Sequence, residues 1–317
     1  MAVFLLRRLG LLVASLAVAS LLVFALLRVF PGDLAQVMAG TQATPASVAA
    51  LRHQLGTDRP LVTQYGSWVG GVLHGDFGTS PLSGASVGGQ LAEKFAVTGP
   101  LVLVSMALAV ALAVPGGILA AAANRRRLGL VLSLVSQVGI AVPALWLGLV
   151  LALLFAVRLH WLPAQGFPVD GWADPGRAVA SLVLPAVTLA LAEGAVLLRY
   201  VRSATLEVLH QDWLRTARAK GLTRAQALLR HGVRNAALSV VSVLGLQIAT
   251  LLVGAIVVES VFNLPGVGQL LVRDVGNRDL VAVQGEVLVL GAAVLVIGFA
   301  VDVVHQLIDP RLRRVRK

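Results

Sequence analysis

The chain contains no cysteine, which excludes disulfides and thiolate metal sites. Only 13% of its 317 residues are charged, too few for the surface of a soluble protein of this length. Its six histidines, His53, His74, His160, His210, His231 and His305, all lie more than a helical turn apart. The His-x-x-x-His spacing of a helical metal site is therefore missing, and no metal site is expected. No Gly-x-x-x-x-Gly-Lys-Ser/Thr run occurs, so the chain lacks the loop that cradles ATP phosphates. The nearest pattern, "LPGVGQL" with Gly266 and Gly268, is a lone Gly-x-Gly with no lysine after it. It reads as a turn that lets one helix fold back. No Ser-His-Asp arrangement can be argued either. Nothing in the chain looks catalytic, and no cofactor of its own is expected.

What the chain has in abundance is apolar sequence: 57% hydrophobic residues and a mean hydropathy of +0.86. A helix that crosses a bilayer needs about 20 mostly apolar residues. Six runs qualify: Leu9–Leu27, Phe95–Asn124, Leu128–Val157, Ala178–Leu198, Asn235–Val258 and Val281–Val304. The fourth tolerates Glu193, and the sixth tolerates Glu286 and Asp302. The first run is too long for a signal-peptide core and shows no small-x-small cleavage pattern, so it is read as a retained span. The expected fold is all-α, an integral membrane protein with six transmembrane helices. The expected division is residues 1–30 for the N-terminal end and first helix, 31–94 for an extracytoplasmic cap, and 95–317 for a five-helix core.

The net charge of +11 is a matter of placement. With the N-terminus inside, the inside segments hold Arg7, Arg8, Arg125 to Arg127, eight cations between Arg199 and Arg234, and five from Arg311 to Lys317, or 18 of the 26 Lys and Arg. Positive-inside bias then places both termini in the cytoplasm, and the charge does not call for nucleic acid.

Two segments outside the spans carry local grammar. In the cap, Thr44 can cap a helix that has Pro45 at its first position and Gly56 at its end. Tyr65, Trp68, Val69 and Val72 follow at helical spacing, with Trp68 suited to a membrane interface. In the inner loop 199–234, "RTARAKGLTRAQALLRHGVRNA" (Arg215 to Ala236) predicts a short helix from about Asp212 to Lys220. A turn follows at Gly221, then a new helix opened by a Thr223/Gln226 capping box and running into the fifth span. Read physically, the short helix is either a basic surface helix on anionic lipid or a docking helix for a partner.

The same stretch resembles the cytoplasmic loop of ABC-importer membrane subunits whose general pattern is Glu-Ala-Ala-x-x-x-Gly. Arg215, Thr216, Ala217 and Gly221 occupy its positions, with Arg215 and Thr216 departing from the first two as in the peptide-importer branch. His231, Arg234, Asn235 and Ala236 fit the second part of that branch's loop. "LLVFALLRVFPGD", "LGTDRPLVTQY...GDFGTS", "PALWLGLVLALLFAVRLHWLPAQG", "VVESVFNLPGVGQLLVRDVGNRDLVAVQG" and "QLIDPRLR" are, in order, similar to B-type dipeptide and oligopeptide permease subunits.

The resemblance implies an importer of peptide type, in which this chain forms half of the pathway in a prokaryotic cell membrane. It implies as partners a similar second permease subunit, two cytoplasmic ATPase subunits that bind ATP and Mg, and an extracytoplasmic solute-binding protein. It assigns ATPase coupling to Arg215, Thr216, Ala217, Arg218, Ala219, Lys220 and Gly221. An outer gate or binding-protein contact falls to Glu259, Phe262, Pro265, Gly266 and Gly268. Glu259 and Asp302, near span ends, are expected to be solvated or ion-paired. Glu193 lies within its span, where an acid is costly; it either faces the pathway and meets a peptide's amino group or pairs with a neighbouring helix. Similar permeases carry nickel chelates, glutathione or haem, so these remain alternative cargoes. An ion-coupled secondary transporter or channel is the alternative of another class, and would call for several deep acids or an inverted repeat.

Overall fold

The computed structural model describes residues 2–29, 35, 39 and 43–308. The start of the cap at Pro31 and the Asp309-Pro310-Arg311 close of the last helix lie outside them. The described residues are helical, with a single isolated β-bridge between Thr79 and Ser86. Five helices are long and apolar enough to cross a membrane, and a bent pair makes six when counted as one crossing.

The chain divides into two compact bodies. The larger comprises residues 99–264 with residues from 297 onward. It holds most of α4 (Val87–Ala122), all of α5 (Arg127–Ala141), α6 (Ala144–Leu151, continued as a π-helix Ala152–Arg158) and α7 (Pro175–Leu209). After these come α8 (Asp212–Ala219), α9 (Arg224–Ala227), a π-helical turn Leu228–Gly232 and α10 (Val233–Val261). α7 is the central element and packs against α5, α6 and α10. Its sequence shows why. Ala178, Ala186, Ala190 and Gly194 keep its surface thin, and half of its apolar window is buried. Helices in lipid gain nothing from hiding apolar surface from one another, so close backbone approach over small residues replaces the hydrophobic effect. Gly117 of α4 is the tightest such approach to α7: a Cβ there would lie 2.6 Å from Val201 Cβ and 2.9 Å from the Leu198 carbonyl. Ala113, Leu197, Val201 and Val240 close the apolar cluster around it.

The third apolar run departs from expectation. Leu128–Val157 reads as one span, yet α5 and the α6 helix meet at 102°. The break falls at Val142, which is extended (φ −83°, ψ 120°), the conformation that a following proline imposes. Pro100, Pro115 and Pro185 stay inside continuous helices.

The smaller body comprises residues 2–98 and 265–296. It contains α1 (Ala2–Val29), α2 (Pro45–Leu55), α3 (Leu61–Leu73), the first turns of α4, then α11 (Val267–Gly276) and the first half of α12 (Leu280–Ile308). α2 is bounded as its sequence requires: Thr44 accepts from the Ser47 amide, Pro45 opens the helix, and Gly56 closes it in the left-handed conformation (φ 66°). α1 is largely exposed along its length and is held by α3. Ser20 and Tyr65 hydroxyls lie 2.8 Å apart, and Phe24 meets Tyr65 edge-on and stacks on Trp68. The core of this body joins Val87, Leu91, Val267, Leu270 and Ala282.

A polar clamp fastens the loop between α3 and α4 to α12. Asp279 caps α12 by accepting from the Ala282 amide at 3.1 Å through Oδ1, while its Oδ2 accepts from the Ser80 hydroxyl. Both residues are 2% exposed. Removing the hydroxyl leaves that carboxylate oxygen buried without its donor, at a cost of about 1–3 kcal/mol. Ser80→Ala is therefore expected to lower the thermal midpoint of the purified protein. Asp279→Ala should lower it further, because the helix cap is lost as well, worth about 1 kcal/mol more. Equal midpoints for wild type and both variants would rule the clamp out.

Candidate functional site

Three groups of residues were expected to carry function, and the structure places each. The basic loop folds as its local signals require. α8 ends at Ala219, and Gly221 follows at φ 93°. Thr223 and Gln226 then form a reciprocal capping box: the Thr223 amide donates to Gln226 Oε1 at 3.0 Å and the Gln226 amide to Thr223 Oγ1 at 3.3 Å. Among the described side chains of α8, Leu214 is the buried one, at 2% exposed. Arg215, Thr216, Ala219 and Lys220 are exposed, and Ala217 is half-buried. The side chain of Arg218 lies outside the described residues, as do those of His231, Arg234, Asn235 and Ala236. Arg215 and Asp212 approach at 3.4 Å, with side chains 74% and 94% exposed, an ion pair so solvated that it contributes little to holding the helix. α8 therefore presents Asp212 and Arg215 outward and keeps the apolar Leu214 in the body. At the same end, Arg202 donates to Asn124 Oδ1 at 2.7 Å, and Val208 packs with Leu228 and Ile118. The π-helical turn after α9 was not visible in the sequence. Such turns recur at functional sites.

Of the proposed gate residues, Glu259 and Phe262 belong to the larger body. Glu259 is 0% exposed, so of the two expectations, solvated or ion-paired, the solvated one is corrected: burial at the end of α10 removes the side chain from solvent. Phe262 is 1% exposed; its carbonyl accepts from the Gly166 amide at 2.8 Å, and its ring lies over Gly148 of α6. Pro265, Gly266 and Gly268 belong to the smaller body. There Gly266 precedes α11, whose first amide, from Val267, donates to Thr98 Oγ1 at 2.9 Å. Further along α11, Arg273 donates to Asp274 at 2.9 Å and to Gln90 at 3.2 Å. The hydrogen bond it donates to the Asp274 carboxylate holds the Arg273 guanidinium above its ordinary pKa, so its charge is permanent.

Glu193 sits near the middle of α7, half-buried, and is braced by α10. Gln247 Nε2 donates to its carboxyl at 3.3 Å and to its backbone carbonyl at 3.0 Å. Gln247 is 4% exposed. Thr250, one turn on, bonds the Gln247 carbonyl at 2.9 Å and stands beside the same carboxyl. Of the two readings open for Glu193, pairing with a helix neighbour is present. The partner was missed, although a lone glutamine in "VLGLQIATLL" was the available signal.

Long apolar helices, an apolar run sharply bent in its middle, a polar cluster between two of the spans and a short basic helix outside them define a multi-pass helical membrane protein. The chain belongs to the family described as binding-protein-dependent transport system inner membrane component, which matches residues 113–314, with the family's N-terminal membrane component matching residues 1–110. It is thus an ABC importer permease subunit of the inner membrane, with the fold of the type I importer membrane domain. Among curated proteins it is similar to the glutathione transport system permease protein GsiC of Salmonella typhimurium, 41% identical over 313 residues that cover 98% of each chain. The protein of the same name in Escherichia coli K12 is 38% identical over 310 residues, again 98% of each chain.

Proposed function

We propose that this chain forms half of the translocation pathway of an ATP-driven importer of short peptides, glutathione among them. Likeness along nearly the whole chain to permeases named for glutathione transport carries this reading. Glutathione is itself a tripeptide, so the peptide and glutathione readings share one chemistry. Nickel chelates and haem have no comparable support.

In this proposal a second, similar permease supplies the other half of the pathway. Two ATPase subunits bind ATP and Mg on the side of α8, where both termini lie, and a solute-binding protein delivers cargo to the opposite side. This chain itself catalyses nothing. ATPase closure moves α8, and rigid helices carry the motion to a gate around Glu259, Phe262 and the Pro265–Gly268 turn. Arg215 to Gly221 make the ATPase contact, and Glu193 lies on the pathway. The exposed Asp212 and Arg215 of α8, with Leu214 buried beneath them, support a docking element.

The test is uptake of labelled glutathione and of labelled dialanine by cells carrying the complete importer, with and without this chain. Loss of uptake of both on deletion is the expected result. Uptake of neither by the complete system overturns the cargo reading. Uptake that persists with ATP depleted would point to the secondary-transporter alternative.

A further inference from the structure

We infer that Glu193, braced by Gln247 and Thr250, is a cargo-recognition site for a protonated amine within the membrane span; the assignment rests on the peptide-cargo reading above. Glu193 lies inside the apolar run of α7, six residues before Arg199, and Gln247 and Thr250 lie near the centre of α10, so the three groups meet within the apolar spans. An acid at that depth is too costly to leave against lipid; such groups face a bundle interior or a water-filled cavity. Here the carboxyl is only half-buried, and Thr250 beside it is exposed. The open side of the cluster therefore faces something polar.

Its bracing is also one-sided. Gln247 Nε2 donates once to the Glu193 carboxyl and once to the Glu193 backbone carbonyl, and the Thr250 hydroxyl, bonded to the Gln247 carbonyl, stands beside the same carboxyl. No described Lys, Arg or His forms an ion pair with Glu193. A carboxyl that is oriented by an amide donor, has no cationic partner among the described residues and is open on one side is arranged to accept from an incoming cation. Dipeptides and glutathione both carry a free α-ammonium group, with three donors; haem does not. The site would thus favour the peptide class at the membrane step, in addition to any choice made by the binding protein.

The absence of cysteine from this chain makes a direct test available. Thr250→Cys is introduced in the complete importer, and the new thiol is reacted from water with trimethylammonium-ethyl methanethiosulfonate or with its anionic sulfonatoethyl counterpart, labelling being read from the mass of this chain. With each rate divided by that of the same reagent with 2-mercaptoethanol, which removes the thiolate's own preference for the cation, the cationic reagent is expected to react about tenfold faster or more. Adding Glu193→Gln should abolish that excess, and dialanine or S-methylglutathione should slow labelling. A Glu193 whose charge is turned away from the opening would leave the ratio at its free-thiol value. A thiol that neither reagent reaches, or an unchanged preference with glutamine at 193, overturns the inference. Charge preference without protection by either peptide overturns the ammonium assignment and leaves the importer reading standing. Failure of wild type to take up either peptide overturns the cargo reading, and this assignment with it.

Discussion

Gly221→Val is expected to cut ATP-dependent uptake by more than about tenfold while leaving the amount of subunit in the membrane near wild type. The turn after α8 holds Gly221 at φ 93°, a region that costs an ordinary L-residue roughly 1–2 kcal/mol and a β-branched one more. No described atom lies within 4 Å of the position a Cβ would take, so the effect acts through the backbone. To escape the strain the chain must re-aim α8, in which Leu214 is the buried residue among those described. Uniform transmission of force from an ATPase needs that helix in one orientation. Because asparagine tolerates the left-handed region, Gly221→Asn should retain most activity. The check is uptake together with co-purification of the ATPase subunits for both variants. Normal uptake by the valine variant would remove α8 from the coupling scheme, as would equal loss with valine and asparagine.

Gly117→Val should have the largest effect on stability. Even the Cβ of alanine would stand 2.6 Å from Val201 Cβ and 2.9 Å from a backbone oxygen, and neither can yield without moving α7. Overpacking of this kind costs about 1–3 kcal/mol for one added group, and valine adds more than one. α7 is also the helix on which α5, α6 and α10 pack, so a shift there reaches most of the larger body. A drop in thermal midpoint of several degrees in detergent is expected, at roughly 2–4 °C per kcal/mol for a protein of this size class. Gly10→Ala is the matched control. Nothing lies within 4 Å of its Cβ position, and alanine is the better helix former by about 1 kcal/mol. A midpoint for Gly117→Val equal to that of the control would mean that α4 and α7 are not held at this distance in the folded protein.

How much of this was legible beforehand depends on the range of the interaction. Thr44, Pro45 and Gly56, like Thr223, Gln226 and Gly221, act on amides and carbonyls within four residues, so their capping and turn roles could be read from the chain and are present. The spans were legible because the bilayer asks only for length and apolarity. The fate of the prolines was not. Pro100, Pro115 and Pro185 are carried within helices while Pro143 follows a break, since neighbouring helices decide whether a freed carbonyl is satisfied.

The candidate site divides the same way. The composition and spacing of the basic loop pointed to a projecting helix, and a deep Glu193 could be recognised as costly from sequence. Its bracing by Gln247 joins residues 54 apart, and the Ser80–Asp279 clamp joins residues 199 apart. The sealing of Glu259 at the end of α10 depends on which side chains arrive from elsewhere. By itself, then, the sequence determined that this protein is a multi-pass bundle with capped surface helices and a basic helix-turn loop, because hydropathy and capping are properties of neighbours along the chain. Where the third apolar run breaks, which acids are buried or braced and which glycine sets a helix spacing were decided only by tertiary structure. Those outcomes turn on sterics and hydrogen bonds between residues that the chain keeps far apart.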